Sequence, residues 1–125
     1  MKKKILVVDD EAGLTRMLKR NLEATGKYEV REENSGKRAF SAAKEFRPDL
    51  ILLDVMMPDT DGGSVAAQIG ADELLGHTPI VFLTAIVRQG EVEPTGSSIG
   101  GRTFLAKPIS LDDLTTCIEH HLEKR

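Results

Sequence analysis

Cysteine occurs once in the 125 residues, so no internal disulfide framework can hold this chain together. Long hydrophobic runs are missing too. The apolar stretch Ile5-Leu6-Val7-Val8 behind the N-terminal lysines stops at Asp9, short of the roughly 7 to 15 residues of a signal-peptide core. No other run approaches the roughly 20 residues of a membrane-spanning helix. Basic blocks are absent beyond Lys2-Lys3-Lys4, and 17 basic residues against 20 acidic leave a net charge of −3. That balance carries no electrostatic footprint for direct nucleic-acid binding. There is no internal repeat, no linker and no second zone of composition. With 40% hydrophobic and 30% charged residues the composition is that of an ordinary soluble globular protein, and the length suits one domain over residues 1–125. A cytoplasmic protein with no membrane partner is expected.

What is present is a rhythm. Ile5-Leu6-Val7-Val8, Leu50-Ile51-Leu52-Leu53 and Ile80-Val81-Phe82-Leu83 are too short for helices and do not alternate, which predicts strands buried on both faces. Thr103-Phe104-Leu105-Ala106 has strand length, and Tyr28-Glu29-Val30-Arg31-Glu32 alternates apolar with charged, as a sheet edge does. Between them Leu14, Met17, Leu18 and Leu22 keep helical spacing, as do Ala39, Phe40, Ala43 and Phe46 before Pro48. Leu111, Leu114, Ile118 and Leu122 form a last stripe opened by Ser110 as N-cap, with Asp112 and Asp113 in the first turn. Residues 65–75 make a weaker helix interrupted by Gly70, and the glycines of residues 88–102 predict a short helix or a loop there. Strands alternating with helices require crossovers, which place helices on both faces of a mainly parallel sheet.

Each apolar run ends in a polar residue: Asp9 and Asp10, then Asp54, then Thr84, then Lys107. In a parallel sheet these ends share one edge, and open α/β sheets bind ligands outside that edge. Three carboxylates gathered there repel one another unless they take up protons or hold a cation. All-oxygen ligation suits Mg²⁺, which keeps waters that a phosphate can displace. Lys107 and Thr84 offer a charge and a hydroxyl to phosphoryl oxygens, and a carboxylate meeting phosphorus in this setting can become an acyl phosphate.

Four segments in order, VVDDE at residues 7–11, LILLDVMMPDTDGG at 50–63, FLTA at 82–85 and FLAKP at 104–108, give a chain that resembles the response-regulator receiver domains of bacterial two-component signalling. The resemblance covers nearly the whole chain. It implies a flavodoxin-like (βα)5 three-layer sandwich, a five-stranded parallel sheet of order 2-1-3-4-5, with the fourth helix short or irregular here. It also implies a phosphoaccepting regulator, not an enzyme with a free substrate: Asp54 as phosphoacceptor, and Mg²⁺ held by Asp10, Asp54 and the carbonyl of Met56, with Asp9 acting through water. By the same resemblance Lys107, Thr84 and the amide of Ala85 contact the phosphoryl group, Phe104 is the switch aromatic, and the Lys107-Pro108 bond is cis. The implied partners are a sensor histidine kinase or histidine phosphotransfer protein upstream, and a protein effector or a second copy downstream. Met56 and Ile86, two residues beyond Asp54 and Thr84, are bulky and apolar where side chains influence the hydrolytic water, which predicts slow self-dephosphorylation.

Weaker readings stand beside these. A haloacid-dehalogenase-like phosphatase would cast Asp9, Thr84, Lys107 and Asp112-Asp113, but Glu11 stands where its motif needs a second aspartate and Asp54 has no role in it. An interaction module with the same fold and no phosphorylation is the third reading. Cys117 lies off the centre of its helical stripe and is expected at a boundary. His77, His120 and His121 lack ligand spacing and are expected at the surface, and Asp59, Asp61 and Gly62 read as a turn into a helix.

Overall fold

The computed structural model describes residues 2–85, 97–99 and 102–123. Parallel strands β1 (Lys3–Val8), β2 (Tyr28–Glu33), β3 (Leu50–Asp54), β4 (Ile80–Thr84) and β6 (Arg102–Ala106) alternate with α1 (Ala12–Ala24), α2 (Ala39–Phe46) and α3 (Gly62–Gly70), and α4 (Leu111–Glu123) follows β6. With the short strand β5 (Ser97–Ile99) the sheet order is β2-β1-β3-β4-β6-β5. Its five parallel strands therefore stand in the expected 2-1-3-4-5 order, and β2 lies at an edge, as its alternation predicts.

One strand was not legible. Ser97–Ile99 forms β5, antiparallel to β6, within the segment expected to be a short helix or a loop. Pairing Ser97 with Phe104 and Ile99 with Arg102 gives the outer side of β6 a hydrogen-bonding partner, which an edge strand otherwise lacks. The rest of that segment, where the fourth helix is expected to be short or irregular, lies at residues 88–96 and 100–101, outside the described residues.

The uninterrupted apolar runs are explained by two cores. Ile5, Val7, Leu50, Leu52, Val81, Leu83 and Leu105 pack on one face against Leu18 and Leu22 of α1 and Leu114, Cys117 and Ile118 of α4. Leu6, Val8, Ile51, Leu53 and Phe82 pack on the other against the α2 alanines and Val65 and Ile69 of α3. Successive strand residues point to opposite faces, and both faces are covered. Each fully buried aliphatic side chain contributes about 1.5 to 3 kcal/mol. No described helix is long and apolar enough to cross a membrane.

Three expectations need correction. Met17 is 44% exposed, because α1 turns Thr15, Leu18 and Leu22 inward and leaves Met17 on the rim. Cys117 is no boundary residue. It is completely buried under α4, and burial pushes its thiol up to about 12. His121 is half-buried, its Nδ1 2.9 Å from the Cys117 carbonyl oxygen and its Nε2 3.0 Å from Thr103 Oγ1, so it ties α4 to β6.

The turn into α3 is built as its residues predict. Asp61 is the N-cap and accepts from the Ser64 amide at 2.7 Å, and Asp59 accepts from the Ser35 hydroxyl at 2.6 Å and from the Gly36 and Lys37 amides at 3.2 Å. Gly62 starts the helix against the strand that ends in Asp54, and a Cβ there would collide with the Asp54 carbonyl oxygen. Gly62→Ala is expected to destabilise the protein by about 1 to 3 kcal/mol. Gly13→Ala, with nothing within 4 Å of the added carbon, should be neutral or stabilise by up to about 1 kcal/mol. Thermal unfolding of both variants checks this, and equal midpoints would remove Gly62 from its role.

Candidate functional site

The register decides what meets at the sheet edge. Val8 of β1 pairs with Leu53 of β3, Asp54 with Leu83 of β4, and Thr84 with Ala106 of β6. The next polar residue of each chain segment is thereby brought to one place. The Lys107 amide donates to the Thr84 carbonyl at 2.8 Å, and the Lys107-Pro108 peptide is cis. Asp9, Asp10 and Asp54 each offer a carboxylate oxygen, and these lie within 4.8 Å of one another. Asp9, Asp54 and Thr84 are buried, whereas Asp10 is exposed.

Lys107 answers the negative charge. Its Nζ lies 2.7 Å from Asp9 Oδ2, 3.4 Å from Glu11 Oε1 and 3.5 Å from Asp54 Oδ1. Burial works against the ammonium charge, but Asp9, then Asp54 and Glu11, outweigh it and raise the lysine above its ordinary range. Asp9 Oδ2, completely buried, takes this ammonium as its ion partner. Asp9 Oδ1 accepts from the Glu11 amide at 3.0 Å. Asp54 is pushed up to about 6, by burial first and by the Asp9 charge second, while Lys107 and the Met56 amide pull it down. Three converging carboxylates, two of them buried, and an acid with a raised affinity for protons fit a hard dication, which would supply further positive charge.

Ala85 follows Thr84 and is exposed. Met56 donates its amide to Asp54 Oδ1 at 3.4 Å, and its side chain is 68% exposed. Ile86 lies outside the described residues. Phe104 is half-buried and stacked on Phe82, with ring centroids 5.3 Å apart. Asp112 and Asp113, cast in the phosphatase reading, are exposed in the first turn of α4, and among the described residues the acidic cluster with metal-binding geometry is Asp9, Asp10 and Asp54.

Two residues were given no role from the sequence. Glu11 reaches Lys107, a contact that its place directly after two aspartates could have suggested. Asn34 donates its side-chain amide to the Asp9 carbonyl and to the Thr15 hydroxyl, both at 2.8 Å, and so holds the turn carrying Asp9. Nothing in the local sequence of Asn34 signals this.

A model of the family described as response regulator receiver domain matches residues 5–119. The chain belongs to that family. The receiver domain is 40% identical over 110 residues to the alkaline phosphatase synthesis transcriptional regulatory protein PhoP of Bacillus subtilis, covering 88% of this chain and 44% of that regulator. It therefore spans less than half the length of that relative. It is 32% identical over 122 residues to the polar-differentiation response regulator DivK of Brucella ovis, covering 98% of each. Among solved structures it is similar to the chemotaxis response regulator CheY4 of Vibrio cholerae, at 26% identity, a TM-score of 0.80 and coverage of 97% of this chain and 99% of that one. The receiver domain of sensor histidine kinase PA1611 from Pseudomonas aeruginosa, with a magnesium ion coordinated in its active-site cleft, gives 28% identity, a TM-score of 0.81 and coverage of 98% and 99%. Receiver domains are the phosphoaccepting elements of two-component systems, and the phosphatase and phosphate-blind readings are not favoured.

The pKa of Asp54 carries a stability consequence. A carboxyl raised from 3.8 to about 6 binds its proton more tightly folded than unfolded, so the contribution is fully present below the unfolded value and is lost as pH rises through about 6. Metal-free receiver domain should therefore lose stability between about pH 4 and pH 7 through this group. Asp54→Asn should stabilise it at neutral pH by about 1 to 2 kcal/mol, and Mg²⁺ should raise the midpoint of the wild type more than that of the variant. Thermal unfolding across pH, with and without Mg²⁺, measures all three, and a variant less stable than the wild type at neutral pH contradicts the electrostatic account.

Proposed function

We propose that residues 1–125 act as one receiver domain in which Asp54 accepts a phosphoryl group from a phosphohistidine of a sensor kinase or phosphotransfer protein. The observation that supports this most directly is the convergence of a buried, charge-crowded Asp54 with Lys107 Nζ at 3.5 Å and the strand-ending Thr84 beside it. An oxygen of Asp54 attacks phosphorus, the P–N bond breaks as the P–O bond forms, and the departing imidazole nitrogen keeps the electron pair and is protonated from solvent. Lys107 and the Thr84 hydroxyl contact the phosphoryl oxygens, and the Ala85 amide assists. Asp10, Asp54 and the Met56 carbonyl would hold Mg²⁺, with Asp9 acting through water. When bound, the ion neutralises phosphoryl charge, so catalysis is mostly positioning and electrostatics.

Phe104 then reports the change. Thr84 and Phe82 share one face of β4, and Phe104 is the cross-strand partner of Phe82, so movement of Thr84 toward the phosphate opens space that Phe104 enters. The altered surface is read by a protein effector or a second copy. No role on nucleic acid or membrane is assigned to this domain, and a phosphohistidine donor of this kind goes with a cytoplasmic location.

The chain is to be incubated with Mg²⁺ and a small phosphodonor and weighed intact. One labile phosphoryl adduct is expected for the wild type and none for Asp54→Asn. An unmodified wild type favours the interaction module, and steady phosphate release that survives Asp54→Asn but not Asp9→Asn favours the phosphatase. Once phosphorylated, the protein should hydrolyse slowly. Replacing Met56 and Ile86 together by small polar residues should shorten the phosphoryl half-life at least about threefold, equivalent to roughly 0.7 kcal/mol in the barrier. A half-life unchanged or longer in a discharge assay refutes obstruction of the water by these side chains.

A further inference from the structure

Glu11 occupies a position that does not suit a glutamate. It is the N-cap of α1, where Ser, Thr, Asp or Asn would satisfy a free helix amide, and its side chain makes no capping bond. The carboxylate turns instead to Lys107, whose Nζ donates to Glu11 Oε1 at 3.4 Å across 96 residues of sequence. Its backbone amide meanwhile donates to Asp9 Oδ1 at 3.0 Å. Glu11 thus touches both the lysine and the buried aspartate of the site.

Its exposure separates it from the other carboxylates on Lys107. The Glu11 side chain is 65% exposed, against 0% for Asp9 and 7% for Asp54. Asp9 and Asp54 face the interior of the site, whereas Glu11 presents its charge at the mouth, where a donor must arrive. The lysine that has to reach the phosphoryl oxygens is shared with this outer acid, and the incoming group must take it away.

Resting on the reading of Asp54 as acceptor, we propose that Glu11 is a positioning and specificity-determining residue that shares the Lys107 ammonium from the mouth of the site and discriminates among phosphodonors by their negative charge. A doubly negative donor meets twice the repulsion of a singly negative one, and both compete with Glu11 for the same ammonium. Removing the charge therefore favours the more highly charged donor. A single exposed charge at this range, acting through partly screened solvent, corresponds to a factor of about three in the relative rates.

The test uses the full chain at saturating Mg²⁺, low ionic strength and near-neutral pH. Initial phosphorylation rates are measured by intact mass with acetyl phosphate, which is doubly negative, and with phosphoramidate, which carries one net negative charge. Glu11→Gln should raise the ratio of the first rate to the second about threefold, and added salt should shrink the difference from wild type. Glu11→Asp, which keeps the charge, should retain the wild-type ratio. A general loosening of the helix end would alter both rates together and leave the ratio alone. An unchanged ratio in Glu11→Gln, or an equal rise in Glu11→Asp, overturns the assignment while phosphorylation of the wild type leaves the acceptor reading intact. A wild type modified by neither donor overturns both.

Discussion

Mutual repulsion among acids at the end of a buried sheet is the constraint around which this molecule is arranged. Asp9 and Asp54 are held almost without solvent, and the strands that carry them cannot splay apart, because Ile5, Leu6, Leu52 and Leu53 are locked into cores on both faces. The repulsion has to be met chemically. Lys107 meets part of it, drawn in from the far side of the sheet by β6, and the remainder appears as the raised proton affinity of Asp54. A site held in that condition is ready for a dication and, with it, for an anionic phosphoryl group.

The edge was legible because burial and register are both simple functions of sequence in a doubly covered parallel sheet. Four apolar residues followed by a polar one, in three successive runs, give strands whose ends fall within one residue of each other once Val8 lies beside Leu53 and Leu53 beside Phe82. What escaped notice depends on side chains crossing between elements. Asn34 reaches Asp9 over 25 residues from the end of an edge strand, and no periodicity encodes that. Cys117 was misplaced because a helix stripe assigned from leucines and isoleucines alone has its centre displaced. α4 buries Leu114, Cys117 and Ile118 while Leu111 stays 39% exposed, which rotates the inward face toward the cysteine. Strand β5 escaped because three residues carry no periodic signal of their own, and its pairing is set by the bare edge of β6.

Two further acids keep the site's loops in place without entering its charge balance. Asp61 caps α3 from the front, and Asp59 accepts hydrogen bonds from the start of the short helical turn at Gly36–Arg38. The loop after Asp54 is thus pinned at one end to its own helix and at the other to the segment after β2. Their carboxyls are held below the ordinary carboxylate range, Asp59 chiefly by the Ser35 hydroxyl and Asp61 chiefly by the Ser64 amide. The contrast with Asp54 is instructive, since the same residue type is stabilised as an anion where donors surround it and destabilised where burial and another acid do. Gly62 completes the arrangement, as only a residue without a Cβ lets the helix begin against the backbone of Asp54.

The same comparison bears on how a change at Asp54 can travel. The carboxylate sits at the end of a strand whose backbone is fixed by neighbours on both sides, so displacement of β3 itself is disfavoured by two cores at once. Side chains on the next strand are freer. Thr84 and Phe82 occupy alternate positions of β4 and hence one face, and Phe82 opposes Phe104 across the β4–β6 ladder at 5.3 Å between rings. Phe104 is half-buried, unlike Phe82, and sits three residues before the lysine that contacts the acids. It is therefore joined to the charged centre by two short routes, through Thr84 and Phe82 on one strand and through Lys107 on its own. A rearrangement of Thr84 or Lys107 would move the packing around an aromatic ring that already borders solvent, while the sheet beneath stays in register.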